Sequence, residues 1–405
     1  MMRSLPIVAA LFLLAAAASA QTGGTVESRF GIGELAFQTS GRGMGMGAVS
    51  APLRFADDVN SSNPAAWSSV NELRLQGGVS YDYVTFSNNS AEIRDAIIEG
   101  FQLVFPAEDK YRTRFVAGLM PVSRSYYDLV AYGKTSLDEP YTIHYRGSGG
   151  LSLFRFGASV QPLPFLQIGA AYQYYFGTIE QEWEATFSND SYYPSFQQLA
   201  TSHSGSAFLL GFMLEPVEGL SVGGSLNTAA ALRTSQNMKL QFSTQDSILT
   251  GASGTRDYPL QWQAGIGYQL LDQLLVAADY SYQDWTNATE GDGQQSSLTS
   301  TYKLGAGLEW FPWKGDIASR SLSQLAIRFG FFHKKNYVAV GGVDVKEYMF
   351  TTGFGFPIFG SSRGDIALQY GWQGSAEDRL GRRDILRLVA SISFGEKWFT
   401  RDNTY

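Results

Sequence analysis

From Glu72 onward, apolar and polar residues alternate with a period of two in one segment after another. Leu73, Leu75, Val79, Tyr81 and Tyr83 share one face, and Arg74, Gln76, Ser80 and Asp82 share the other. Leu260, Trp262, Ala264, Ile266 and Tyr268 oppose Gln261, Gln263, Gly265, Gly267 and Gln269. The same holds for Tyr302 to Trp310, Asp365 to Gln373 and Leu386 to Phe394. Successive side chains of a strand point to opposite faces, so this pattern specifies sheet with two different environments.

A soluble sandwich with one wet face would satisfy the alternation too. Two features favour a membrane barrel. The apolar faces often end in Tyr, Trp or Phe, as the aromatic girdles of a lipid-facing surface require. The opposite faces carry Gly, Gln, Ser and charges of both signs, too small and too polar for a dry core. The chain holds 44 Gly, 27 Phe, 22 Tyr and 8 Trp, yet its mean hydropathy is near zero, because a barrel hides its apolar character by alternation. After the first stretch, no apolar run reaches the roughly 20 residues that a membrane-spanning helix needs.

The segments amount to about fourteen strands, near 72–86, 95–106, 112–124, 146–162, 165–183, 204–216, 219–234, 257–271, 273–287, 300–312, 322–337, 343–358, 364–375 and 384–398. Connections alternate in length. Pro162 to Pro164, Pro216 to Gly219, Leu271 to Gln273 and Gly360 to Gly364 are short, whereas Phe187 to Ser204, Ser235 to Arg256 and Asn287 to Thr299 are long and polar. Short periplasmic turns and long extracellular loops are the pattern of an even-stranded barrel with both ends in the periplasm. The fold expected is an all-β transmembrane antiparallel barrel.

The first twenty residues form a secretory signal: Arg3 is the basic start, Leu5 to Ala18 the apolar core, and Ala18-Ser19-Ala20 the cleavage site. No Cys follows it to carry a lipid anchor, and the chain has none at all, which excludes disulfides and thiolate metal sites. The formal net charge of −7 argues against a nucleic-acid partner. These readings divide the chain into a signal (1–20), an N-terminal plug (21–71), the barrel (72–399) and a short periplasmic tail (400–405).

The plug assignment rests on barrel width. Eight strands are filled by their own side chains and sixteen or more leave an aqueous channel, so about fourteen leave a lumen to be occupied or open. Ser28 to Trp67 has no helical or strand period, but carries Phe37, Met44, Met46, Phe55 and Trp67. A disordered tail is the alternative, and tails seldom hold such residues.

Gly41 to Ala48, the pair Asp57-Asp58, and Asn63-Pro64-Ala65 just before the first strand resemble the hatch of FadL-type outer-membrane transporters. Ser28 to Gly33 and Glu396 to Phe399 look like a divergent branch of that family. The resemblance implies a fourteen-strand barrel with an internal hatch that carries fatty acids or other hydrophobic compounds. It also implies that the Asn63-Pro64-Ala65 corner lies close to an inward kink of strand three, which serves as a lateral opening. Here Ala66 and the spacing from Asp58 to Asn63 depart from the common pattern.

Three sets of residues are candidates for function. Asn63, Pro64 and Ala65 form either a gating element or simply the corner into strand one. Pro121 interrupts a strand after Met120, and in a closed barrel it marks either a bulge that serves as a gate or the strand's end. Asp279, Lys303, Glu309, Arg328, Asp365 and Arg387 fall on polar faces, where they either hold a ligand carboxylate or pair with one another. Leu153, Leu209, Met213, Met120, Phe37, Met44, Met46 and Phe55 offer apolar surface to a ligand path.

Catalysis is not expected. His144, His203 and His333 are the only histidines, and no H-E-x-x-H, G-x-S-x-G or carboxylate dyad accompanies them. No catalytic residue, metal or cofactor is assigned. The expected function is passive uptake of a fatty-acid-like hydrophobic molecule, through an apolar pocket above the hatch and a lateral opening near strand three. The alternatives are a polar-solute porin, which should lack a plug, and a surface or secretion-associated scaffold barrel, which should lack an apolar path. Expected partners are outer-membrane lipid, the hydrophobic ligand, and the barrel-assembly machinery during biogenesis, with the protein a monomer in the outer membrane of a Gram-negative-type bacterium.

Overall fold

The computed structural model describes residues 25–397, apart from 38, 88–91, 137, 189–191, 243–244, 289–297, 315–321 and 375–380. The expected signal and the tail at 400–405 lie outside the described residues. The chain forms a closed antiparallel barrel of 14 strands. In chain order these are β1 (Leu73–Phe86), β2 (Glu92–Glu108), β3 (Thr113–Arg124 and Tyr127–Lys134), β4 (Pro140–Leu163), β5 (Leu166–Phe187), β6 (Ser195–Leu214) and β7 (Leu220–Asn227 and Ala230–Phe242). The second half comprises β8 (Gln245–Tyr258 and Gln261–Leu271), β9 (Leu274–Gln283), β10 (Thr301–Trp310), β11 (Ala326–Val340), β12 (Val343–Pro357), β13 (Arg363–Gln373) and β14 (Arg383–Glu396). Each pairs with its sequence neighbours, and β14 closes on β1 from Glu396↔Leu73 to Arg383↔Phe86. Three strands are interrupted: β7 keeps β6 and β8 on both sides of its break, whereas, among the described residues, the outer part of β3 pairs only with β4 and the outer part of β8 only with β7.

Burial follows the alternation. Leu75, Tyr81, Phe154, Phe156, Trp262, Ile266, Phe350, Leu368 and Leu388 are exposed on the outside. Arg74, Gln76, Gln173, Asp279, Glu309, Arg328, Gln369 and Arg387 are buried on the inside. This inverts the pattern of a water-soluble domain and is what lipid outside and a polar interior require.

The barrel is taller on one side. β9 and β10 have 10 residues each, enough to cross a bilayer as tilted strands of about 9–11 residues. β4 has 24 and β5 has 22. Phe187 to Ser204 and Ser235 to Arg256, expected as long loops, are therefore corrected: most of each is strand, with Ser195 to Ser204 paired to Arg233 to Phe242 and that segment to Gln245 to Thr255. The reason is physical. Beyond the membrane neither face meets lipid, so the contrast between faces fades while the hydrogen-bond ladder continues. His203, expected in a loop, is buried on β6. Of the third expected loop, Asn287 to Thr299, most lies outside the described residues; Leu298 bridges to Val338.

The segment before β1 lies inside the ring. Its helical turn Gly41–Gly45 packs against β11 to β14, and its 3₁₀ helix Pro64–Ser69 packs against β3 to β6 on the other side. Contact is backbone to backbone in places. A Cβ added to Gly330 on β11 would stand 2.2 Å from the amide nitrogen of Gly47, so only glycine lets the wall approach so closely.

Candidate functional site

Charged groups tie the inner segment to the wall. Glu309 accepts from Arg42 Nε at 2.8 Å and from Arg328 Nε at 2.6 Å. Arg328 reaches Asp365 at 2.8 Å, and Asp365 accepts from Arg363 Nε at 3.1 Å. Asp57 closes the circuit, 3.3 Å from Arg363 and 2.9 Å from Arg42. Three arginines and three carboxylates thus alternate around a ring. Buried charges are tolerable only when partnered in this way. Asp279 sits apart, 3.0 Å from Lys303, and accepts from the backbone of Ser50 at 2.8 Å and Ala51 at 3.2 Å. Arg387 pairs with Asp82 at 2.7 Å and lies over the Phe37 ring. All six charges singled out in the sequence are therefore mutually paired or paired with a neighbour. Arg42, Asp57 and Arg363 were missed as ring members; Arg363 shares the lumen face of Asp365, two residues away, and was legible by that period.

Asp58, on the inner segment rather than a spanning strand, lies outside the ring. Burial pushes its carboxyl up to about 6, and Ser40 Oγ donates to it at 2.8 Å.

The Asn63 corner is fully buried and caps the 3₁₀ helix. Asn63 Oδ1 accepts from Ala65 N at 3.1 Å, while Nδ2 donates to the carbonyls of Ala51 and Phe212 at 3.0 Å each. Pro64 occupies the first helical turn, where its missing N–H costs nothing. The partners of this corner are thus within the segment and on β6. Among apolar candidates, Met213 packs on Ala65 and Ala66, and Leu209 on Val59 and Trp67. Met46 groups with Phe55, and Phe37 with Met44. Met120 and Leu153 are register partners across β3 and β4 in a separate cluster that includes Ile32.

Pro121 stands where the pairing of the wall is interrupted. Pairing between β2 and β3 stops at Phe101↔Leu119. Beyond it, among the described residues, β2 pairs only with β1, and the outer part of β3 has β4 as its one strand-long partner. The register of β3 shifts between Pro121 and Ser123, and the strand breaks at Ser125-Tyr126. A proline cannot donate to the ladder, so the irregularity falls where the chain is already weakest. A cavity of about 330 Å³ fills the gap, lined by Ile97 and Glu99 of β2, Pro121, Ser123 and Arg124 of β3, and Leu151 of β4. One ion pair, Asp95 to Arg124, crosses it.

A second cavity, of about 130 Å³, lies between the inner segment and the wall. The pocket expected above the inner segment is mainly apolar, with one or two polar groups. Leu153, Leu209 and Phe37 do line it, but so do Arg155, Gln173, Asn227, Gln263, Lys303 and Lys334, with no carboxylate among the lining residues. Arg155 is buried and donates to Ser61 O at 2.5 Å. Gln173, in the amide orientation that satisfies its neighbours, accepts from Arg155 at 2.7 and 3.0 Å. Neither Arg155 nor Lys334 has an acidic partner within 4.0 Å among the described residues. Gln263 Nε2 is buried without a hydrogen bond. Arg155 was missed although it shares the lumen face of Leu153, which was named.

Toward the end of the barrel opposite Leu73 and Glu396, the rings of Tyr175, Tyr258, Trp285 and Tyr337 form a chain, with successive centroids 5.0, 5.4 and 4.7 Å apart. All four are buried.

A family model described as BamG matches residues 1–404. No curated protein matches the sequence. Among solved structures, a Pseudomonas aeruginosa FadL homologue superposes with a TM-score of 0.62 at 13% identity, covering 89% of this chain and 98% of that one. The P. putida toluene transporter TodX gives 0.61 at 14%, covering 90% and 100%. The Ralstonia pickettii toluene transporter TbuX gives 0.60 at 15%, covering 89% and 99%. At these identities the likeness is one of fold.

Proposed function

The chain belongs to the BamG family, and from its geometry we propose that it passes hydrophobic small molecules bearing an acidic head across an outer membrane of Gram-negative type. One observation carries the reading: β2 and β3 part above Phe101↔Leu119 around a cavity of about 330 Å³. In a closed barrel an unpaired stretch of wall costs hydrogen bonds, so it persists only where it is used. On this reading the inner segment acts as a plug. The ligand passes the chain of four aromatic rings, which acts as a lid, rests in the cavity of about 130 Å³ with its head on Arg155 and Lys334, and leaves sideways into lipid beside Pro121. The tail binds by apolar burial, about 0.8 kcal/mol per CH₂, and the head by charge-assisted hydrogen bonds. The solved structures of like fold include transporters whose described ligand is toluene, which fits the class of cargo.

Uptake into liposomes tests both parts. Pro121→Val should restore ladder pairing and lower uptake of a labelled fatty acid at least about tenfold, with heat-modifiable migration unchanged as the sign of an intact barrel. Unaltered uptake would remove the lateral route. Arg155→Gln should lower fatty-acid uptake about tenfold and leave toluene uptake unchanged; equal effects on both would remove the head site.

A second reading has one observation in its favour. The tall wall from β3 to β8 offers a large extracellular surface to a partner protein. Stoichiometric co-elution of another outer-membrane barrel from native membranes, with no uptake activity, would favour a scaffold.

A further inference from the structure

The gap between β2 and β3 is not empty on its inner side. The short strand Glu34–Leu35 of the inner segment pairs antiparallel with β3, as Glu34↔Arg124 and Leu35↔Ser123, and Ala36 N donates to Val122 O at 2.9 Å. The other edge of these residues is held by β4, so the inner segment takes the place that β2 has vacated. It is also hydrogen-bonded to the residues at the break in β3. Ser28 Oγ donates to Tyr126 O at 2.7 Å, Ser125 Oγ to Ser28 O at 2.9 Å, and Ser123 Oγ to Ile32 O at 2.5 Å. Gly33 makes this approach possible: its φ is +90°, and a Cβ there would stand 2.3 Å from Arg124 O.

The same few residues are gripped from the opposite wall. Tyr337 Oη, on β11, accepts from Ile32 N at 3.1 Å and donates to Gly33 O. Its ring is the end of the aromatic lid, 4.7 Å from Trp285. One short stretch, Ser28 to Ala36, is therefore hydrogen-bonded at once to the lid and to the edge of the lateral opening.

We infer that the lid and the lateral opening are coupled through this stretch, so that displacing Tyr337 peels Glu34–Ala36 from β3 and opens the wall. The inference deepens the transport reading and rests on it for its purpose, but not for its physics. A coupling needs an element with two arrangements that both sites bias. Here that element is an added strand, zipped or unzipped, held by a small number of hydrogen bonds. A ligand wedging between Trp285 and Tyr337 removes the hydroxyl from Gly33 and Ile32, and the loss is felt at Ser123. The wall itself need not deform. Arg124, freed of its strand partner Glu34, still holds Asp95 across the gap, which limits how far the edges separate.

The test needs no ligand. Ser123 is buried beneath the stretch, so a Ser123→Cys variant of this cysteine-free chain reports peeling by its rate of labelling with a neutral maleimide. Tyr337→Phe keeps the ring and removes the hydroxyl that holds Ile32 N and Gly33 O; it should raise that rate about tenfold in the purified barrel. Trp285→Ala leaves the hydroxyl in place but withdraws the ring's support, and should also raise it. Unchanged labelling in both variants overturns the coupling, and so does an increase in Tyr337→Phe alone, which would make the hydroxyl a local fastener. Raised labelling in both with no uptake of any apolar solute would retain the coupling and sink the transport reading instead.

Discussion

Deletion of Gly41 to Asn63 should turn a barrel that excludes polar solutes into one that leaks them, raising the flux of small sugars into liposomes at least about tenfold. The deletion removes the helical turn on β11 to β14, the cap at Asn63 and the segment's two contributions to the charge ring, Arg42 and Asp57. What remains on the wall is balanced. Arg328 and Arg363 still face Glu309 and Asp365, so the barrel keeps paired charges and should fold and insert. Graded sugars would size the opening by liposome swelling. If the intact protein already leaked freely and the deletion changed nothing, a polar porin would be the better description.

Glu309→Ala attacks the same interface through one side chain. Glu309 is fully buried between Arg42 and Arg328, and its removal leaves two guanidinium groups facing each other with half their compensation gone. Breaking a buried pair in this way costs about 3–5 kcal/mol. The cost should fall on the seating of the inner segment before it falls on the barrel, whose ladder is untouched. Limited proteolysis should therefore release fragments from the first 71 residues while the barrel still migrates as folded. The double variant Arg42→Ala with Glu309→Ala should recover part of the loss, because Arg328 retains Asp365 at 2.8 Å. That non-additivity identifies a direct pair. Equal proteolysis of the single and double variants would show that the ring is not what seats the segment.

The strands were legible because each spanning residue meets either lipid or lumen, a difference large enough to write itself into the sequence at every second position. Leu75 and Tyr81 face out, and Arg74 and Asp82 face in, as their alternation indicates. Where that contrast ends, legibility ends with it. Gln197, Gln198, Ala200 and Thr201 continue β6 above the membrane as half-buried residues on both faces, and nothing in their order distinguishes strand from loop. Arg155 belonged to a readable face yet drew no notice. Its meaning comes from the lack of a carboxylate partner among the described residues, and such a lack has no sequence pattern.

The chain order alone determined a fourteen-strand antiparallel barrel, the wetness of its interior, the irregularity at Pro121 and the presence of an apolar yet aperiodic segment ahead of β1. Tertiary structure decided where that segment goes. It placed Arg42 and Asp57 into a ring with three strands of wall, laid Glu34–Leu35 on the edge of β3, and set Tyr337 over Gly33. The physical reason is that a strand carries its own periodicity, fixed by the pleat. The inner segment has none: many of its backbone groups find partners on side chains and edges from 91 to 306 residues away, and only the closed ring brings those within reach.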